Sequence, residues 1–228
     1  MTKLSQAIAL ATAMTAGLVA TSTSQAEVSA SVDIASSYLY RGTSLGKSEA
    51  VVSGSLDYAH ASGAYVGAWA SSGDTENGSE YDIYFGYAGT AGSLSYDVGY
   101  ASYIYPLMSE EAVADTSNNI TATKDEIGDV TELYLNLSAA GVDFSTYFSD
   151  NGGDYVYNSL GYGMDKFYGL VGVNTDLEDD GKSAYTHIDV SYAYNDNVTF
   201  TASKIVAQSD GNSAASPQFV VSYSLPIE

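Results

Sequence analysis

From residue 27 onward the chain runs in segments of about ten residues in which apolar and polar side chains alternate. Val28, Ala30, Val32 and Ile34 alternate with Ser29, Ser31 and Asp33; Tyr81, Ile83, Phe85 and Tyr87 with Glu80, Asp82, Tyr84 and Gly86; Leu94, Tyr96, Val98 and Tyr100 with Ser95, Asp97 and Gly99. A period of two sends each set to its own face of a strand. Strands that meet lipid on one side and water on the other carry this signature, so the pattern predicts an all-β, transmembrane antiparallel β-barrel.

Turn signals divide the chain into about twelve strands, the first over Val28 to Tyr40 and the last over Gln218 to Leu225. Short connections at 61–63, 89–92, 140–141, 164–165 and 195–197 alternate without exception with longer ones at 41–49, 72–79, 106–129, 150–154, 175–183 and 208–217. Outer-membrane barrels have short periplasmic turns and long extracellular loops, so the even count places both termini on the periplasmic side. A secreted β-sandwich, the alternative for a Tyr-rich chain, does not require turn lengths to alternate. With this orientation Tyr38, Tyr40 and Tyr81 are expected at the outer rim, and Tyr58, Tyr87, Tyr192, Tyr194 and Tyr223 at the periplasmic rim, as two lipid-facing girdles.

The first 26 residues read differently. Lys3 precedes a soft apolar stretch from Ala7 to Ala20, and a polar run ends at Ser24-Gln25-Ala26, which is the form of a secretory signal cleaved after Ala26. Residues 1–26 are therefore expected to be a signal peptide and 27–228 the barrel. No later apolar run is long enough to cross a bilayer as a helix, and only a closed barrel otherwise satisfies its backbone in lipid.

Composition narrows the function. The absence of cysteine leaves no lipobox, disulfide framework or thiolate metal site. Tyr (21) and Gly (22) are abundant while Pro (3) and Trp (1) are scarce, which suits long paired strands. The 28 acidic against 7 basic residues, a formal net charge of −21, repel nucleic acid. Sixteen of those acids fall in the long connections, where they make the outer mouth negative or simply solvate it.

Charges inside strands are more informative, because their parity opposes the apolar face. Asp33, Asp57, Asp82, Asp97, Glu132, Asp143 and Asp189 are expected to line the interior, with Arg41 their main basic counterpart at the outer end of the first strand. An acidic lumen favours cations, whereas a small barrel can instead fill with side chains. Asp176, Glu178 and Asp180 resemble the start of a calcium loop, but the twelfth position is His187 and no helices flank it, so at most a weak loop-bound Ca²⁺ is expected and no other cofactor. Gly42-Thr43-Ser44-Leu45-Gly46 matches a nucleophile elbow only formally, with no following helix.

The stretches Val32 to Ser44, Gly54 to His60, Gly63 to Ser71, and Leu94 to Tyr100 with Tyr105-Pro106 resemble the TorF family, a proteobacterial group of exported proteins assigned as porins. The resemblance covers about half of the chain well, and it implies an outer-membrane barrel without catalytic residues. One departure is the ending Tyr223-Ser224-Leu225-Pro226-Ile227-Glu228, since outer-membrane barrels commonly finish their last strand on an aromatic residue.

The function expected is passive diffusion of small cationic or neutral solutes through a weakly cation-selective outer-membrane channel, in contact with lipid and lipopolysaccharide and able to form homo-oligomers. A non-conducting structural or adhesive barrel is the alternative. An embedded hydrolase is a weaker one, because His187 lies beside Asp189 but no partner Ser is specified.

Overall fold

The computed structural model describes residues 26–45, 49–74, 78–106, 130–151, 154–177, 184–209 and 216–227. Its strands are β1 (Glu27–Ala35), β2 (Leu39–Tyr40), β3 (Thr43–Ser44), β4 (Val51–Ala59), β5 (Ala64–Asp74), β6 (Gly78–Ala91), β7 (Leu94–Ile104), β8 (Val130–Ala139), β9 (Val142–Asn151), β10 (Tyr155–Met164), β11 (Phe167–Asp176), β12 (Tyr185–Ala193), β13 (Val198–Gln208) and β14 (Gln218–Ile227). Twelve of these form one closed antiparallel barrel, each paired with its neighbours in sequence, and β1 closes the ring by pairing with both β4 and β14. Closure leaves no unpaired strand edge, which is the condition for a sheet to cross a bilayer. The short hairpin β2–β3 belongs to no barrel strand pair.

The two faces are inverted relative to a water-soluble sandwich. Ile34, Leu56, Phe85, Leu133, Leu160 and Val190 point outward and are 49 to 59% exposed. The most buried large side chains are instead polar, with His187 and Glu132 at 0% and Asp82 and Asp189 at 1%. Outward aliphatics around a polar interior are stable only against lipid. Tyr58, Tyr81, Tyr87, Tyr194 and Tyr223 lie on the outer surface, at 42 to 60% exposure.

Turn chemistry fixes register at the tight end. Ala140 and Gly141, joining β8 to β9, both have positive φ, at 53° and 81°, as a two-residue turn matched to strand twist demands. Between β12 and β13, Asn195 Oδ1 accepts from the backbone N–H groups of Asn197 and Val198 at 2.9 and 2.8 Å.

Tyrosine and glycine share the interior. Tyr65 is paired across strands with Gly86, Tyr84 with Gly67, Tyr134 with Gly99 and His187 with Gly172. In each case the ring lies where a glycine Cβ would project; a Cβ on Gly99 would stand 2.5 Å from Tyr134 Cζ. The abundance of both residues therefore has one physical origin, which is that a narrow barrel holds inward rings only if the facing position has no side chain. Tyr134, Tyr147, Tyr157 and His187 follow one another around the wall with ring centroids 5.6, 6.1 and 5.9 Å apart.

The sequence pattern fails at the first strand. β1 ends at Ala35 rather than Tyr40, and Tyr38 and Tyr40 are not in the outer girdle. Tyr38 is buried and Tyr40 half-buried, both within the barrel, and residues 41–45 are not an outward loop. Alternation continued through Tyr38 and Tyr40 in sequence because the inserted hairpin is itself a pair of strands with the same two-residue period.

Candidate functional site

The site is built where the chain leaves β1 and turns into the lumen. Ser36 secures the departure by donating its N–H to Val221 O at 2.9 Å and accepting from Val221 N–H on its Oγ at 3.0 Å. Five residues on, β2 and β3 reverse about a two-residue tip, Arg41 and Gly42, with φ of +46° and +85°. Positive φ at both tip positions is the geometry of a tight hairpin turn, and a non-glycine residue there costs about 1–3 kcal/mol. The hairpin is closed by Leu45 N–H on Tyr38 O at 2.9 Å and by Ser37 and Ser44 hydroxyls at 2.8 Å.

Arg41 offsets that cost. Its Nη1 and Nη2 donate to Oε1 and Oε2 of Glu132 on β8 at 2.6 and 3.0 Å. Its Cζ lies 4.4 Å from the ring centroid of Tyr157, 4.5 Å from Tyr147, 4.7 Å from Tyr40 and 5.7 Å from Tyr155. Glu132 also accepts from Tyr103 at 2.5 Å and Tyr155 at 2.6 Å, so both carboxylate oxygens are shared between guanidinium and phenol. A fully buried charge pair persists only with such additional partners. The weakly hydrated, planar guanidinium suits the site better than an ammonium would, because it stacks on rings and bonds bidentately at once.

Tyr38 and Gly42 anchor the hairpin further. Tyr38 donates to Glu80 Oε2 at 2.6 Å, and Tyr105 donates to the other oxygen at 2.9 Å. Burial, reinforced by the Glu80 carboxylate, raises both phenols well above their ordinary range and keeps them donors. Tyr38 also packs its ring 6.1 Å from that of Trp69. At the tip, Gly42 lies against His187, and a Cβ there would stand 2.5 Å from His187 Cβ. His187 is held in place by Asp189 Oδ1 at 3.0 Å on Nδ1 and by the Tyr157 hydroxyl at 2.9 Å on Nε2.

The remaining sequence-derived residues occupy the wall. Asp33 accepts from Ser31 at 3.1 Å, Ser31 meets Ser55 at 3.1 Å, and Ser55 donates to Asp57 at 2.8 Å, which also accepts from Tyr84. Asp97 accepts from Tyr65 at 2.5 Å and Asn136 at 3.1 Å. Asp143 is half-buried and bonded to Tyr168. Asp82 is buried with no hydrogen-bond partner on either oxygen, and Asp189 Oδ2 is likewise unpartnered. Arg41 is not at the end of a wall strand but on the inserted hairpin, because the chain departs β1 before reaching it. Of the proposed calcium loop, Asp176 ends β11, whereas Glu178 and Asp180 lie outside the described residues. Among the described residues no group of three or more acidic or histidine side chains converges to hold a metal ion.

Sequence reasoning did not single out Glu80, Tyr103, Tyr147, Tyr155 and Tyr157 as site residues. Glu80 carried a usable signal, since it shares parity with Asp82. The tyrosines did not, because strand propensity and lipid girdles explain Tyr as readily as an interior ring does.

Among solved structures, the chain is similar to the KdgM porin in complex with disordered oligogalacturonate, at 7% identity over 89% of this chain and 99% of that one, with a TM-score of 0.45. It is similar to the COG4313 outer membrane channel from Pseudomonas putida F1 at 10% identity, covering 89% and 95% of the two chains, with a TM-score of 0.39. The outer membrane protease OmpT from Escherichia coli shares 12% identity over 87% and 92%, with a TM-score of 0.26. A search of curated proteins finds no match. The model of one family, described as a bacterial protein of unknown function (Gcw_chp), matches residues 19–220, and the chain belongs to that family.

Proposed function

We propose that this protein is an outer-membrane channel of the porin type, passing small cationic or neutral solutes by diffusion with a weak preference for cations, and that its inward hairpin restricts the passage. The observation that carries the reading is the sign of the interior. Glu80, Asp82, Asp97, Glu132 and Asp189 are buried inside the barrel, and the hairpin supplies Arg41 as the opposing cation. Fixed negative charge along a narrow path raises the local concentration of cations and excludes anions. The likeness of the N-terminal half to the TorF family supports the same assignment, and no catalytic role is proposed.

A specific observation favours a second reading. Glu132 and His187 have no solvent exposure, so at their level the lumen is filled, as in a structural barrel that conducts nothing. Planar-bilayer recording separates the two. A cation-selective channel gives a reversal potential of cationic sign in a salt gradient, reduced in a variant carrying Asp33→Asn and Asp97→Asn. A structural barrel gives no steps from correctly inserted protein.

A further inference from the structure

We infer that the wall of the lumen carries a recognition site for the guanidinium group of a small solute, and that Arg41 is its tethered occupant. The inference rests on the channel reading and gives it a solute class. The wall contributes the whole site except one ring. Glu132 comes from β8, Tyr147 from β9, Tyr155 and Tyr157 from β10, and Tyr103 on β7 orients the carboxylate. Tyr40 alone comes from the hairpin.

The geometry is that of cation capture. Two parallel N–H donors meet two carboxylate oxygens at 2.6 and 3.0 Å, and wall rings lie 4.4, 4.5 and 5.7 Å from Cζ. Bidentate bonding combined with ring contact distinguishes a guanidinium from a simple metal cation. The carboxylate is already held by two phenols, Tyr103 and Tyr155, so the wall does not depend on Arg41 for its shape.

The occupant is removable in a way that wall side chains are not. The hairpin shares no ladder with the barrel, so its departure breaks the side-chain bonds of Tyr38, Tyr40, Arg41 and Thr43 and the packing of Gly42 but no barrel strand pair. Departure alone would leave Glu132 without its counter-ion, which is unfavourable. A solute bearing the same group replaces that counter-ion, so it competes with Arg41 and favours the withdrawn hairpin. Neutral and anionic solutes have no equivalent gain, and the site thereby couples solute chemistry to passage.

The test uses the folded mature protein in detergent, with methylguanidinium chloride as probe and tetramethylammonium chloride and NaCl at equal ionic strength as controls. Trp69 is the only tryptophan of the chain and packs on Tyr38, so its fluorescence reads hairpin position. Methylguanidinium is expected to give a saturating change that the controls do not. Arg41→Ala, which removes the competitor, is expected to bind methylguanidinium at least about tenfold tighter than the unmodified protein. Adding Glu132→Gln to that variant should abolish the gain. Binding by Arg41→Ala no tighter than that of tetramethylammonium would overturn the inference. If Arg41→Ala does not fold, the unmodified protein decides alone, and absence of a methylguanidinium-specific change overturns it. Bilayer recording of the same preparations keeps the two readings apart: conductance without binding removes the recognition site only, and binding without conductance removes the channel only.

Discussion

Arg41 places both terminal nitrogens of its guanidinium on the Glu132 carboxylate, at 2.6 and 3.0 Å, where neither side chain meets appreciable solvent. The two residues are 91 positions apart in sequence, and their pairing ties a hairpin tip to the barrel wall. Burying both charges is costly, and the phenols of Tyr103 and Tyr155 together with the rings of Tyr147 and Tyr157 offset that cost.

Removing one partner is therefore expected to destabilise the fold more than replacing both. Arg41→Ala should cost about 3–5 kcal/mol, because Glu132 is left buried and unpaired. Pairing Arg41→Met with Glu132→Gln should recover a large part of that loss. Urea titration of the protein folded into vesicles measures both, and an Arg41→Ala loss within about 0.5 kcal/mol of zero would show that the pair does not hold the hairpin.

Gly42→Ala attacks the hairpin from its other side. The added methyl meets His187 Cβ at 2.5 Å in a backbone conformation that already disfavours a side chain. The tip should be displaced while the twelve-strand ladder survives. Altered Trp69 emission with unchanged heat-modifiable gel mobility is the expected result, and unaltered emission would place the tip elsewhere.

The tyrosine and glycine pairs of the wall predict a contrast between two glycines. Gly99→Ala forces the Tyr134 ring away from its contacts with Tyr65 and Tyr147 and should cost about 1–3 kcal/mol. Gly169→Ala meets nothing within 4 Å and should change stability by less than about 0.5 kcal/mol. Equal effects at the two positions, measured by the same urea titration, would deny the packing role.

Much of the barrel was legible because lipid imposes a simple rule. Outward positions must be apolar, as Ile83, Phe85 and Tyr87 are, so the period of two in β6 could be read directly. The alternation of short and long connections gave the strand count for the same reason, since the two rims face different tasks. The hairpin was not legible. Leu39 and Tyr40 continue the alternation of β1, and nothing local distinguishes a strand that meets lipid from one that meets the inward face of the same barrel. The only local mark was Arg41-Gly42, a pair suited to a tight reversal, and its meaning depends on Glu132 and His187, which lie far along the chain.

The orientation of the barrel predicts which connections a protease reaches on intact cells. Cleavage is expected within 123–129 and 176–181 and not at Asn195 to Asn197, the tight turn between β12 and β13. Cutting at 195–197 with sparing of the other two would mean that the short turns face outward.

The claim that the hairpin restricts a cation-preferring path is tested most directly by planar-bilayer recording of the unmodified protein beside Arg41→Ala in a salt gradient. Larger or more frequent steps from Arg41→Ala are expected, with a reversal potential of cationic sign that weakens near 1 M salt, where the Debye length falls to about 3 Å. Silence from both proteins, each shown to be folded and inserted, would contradict the account.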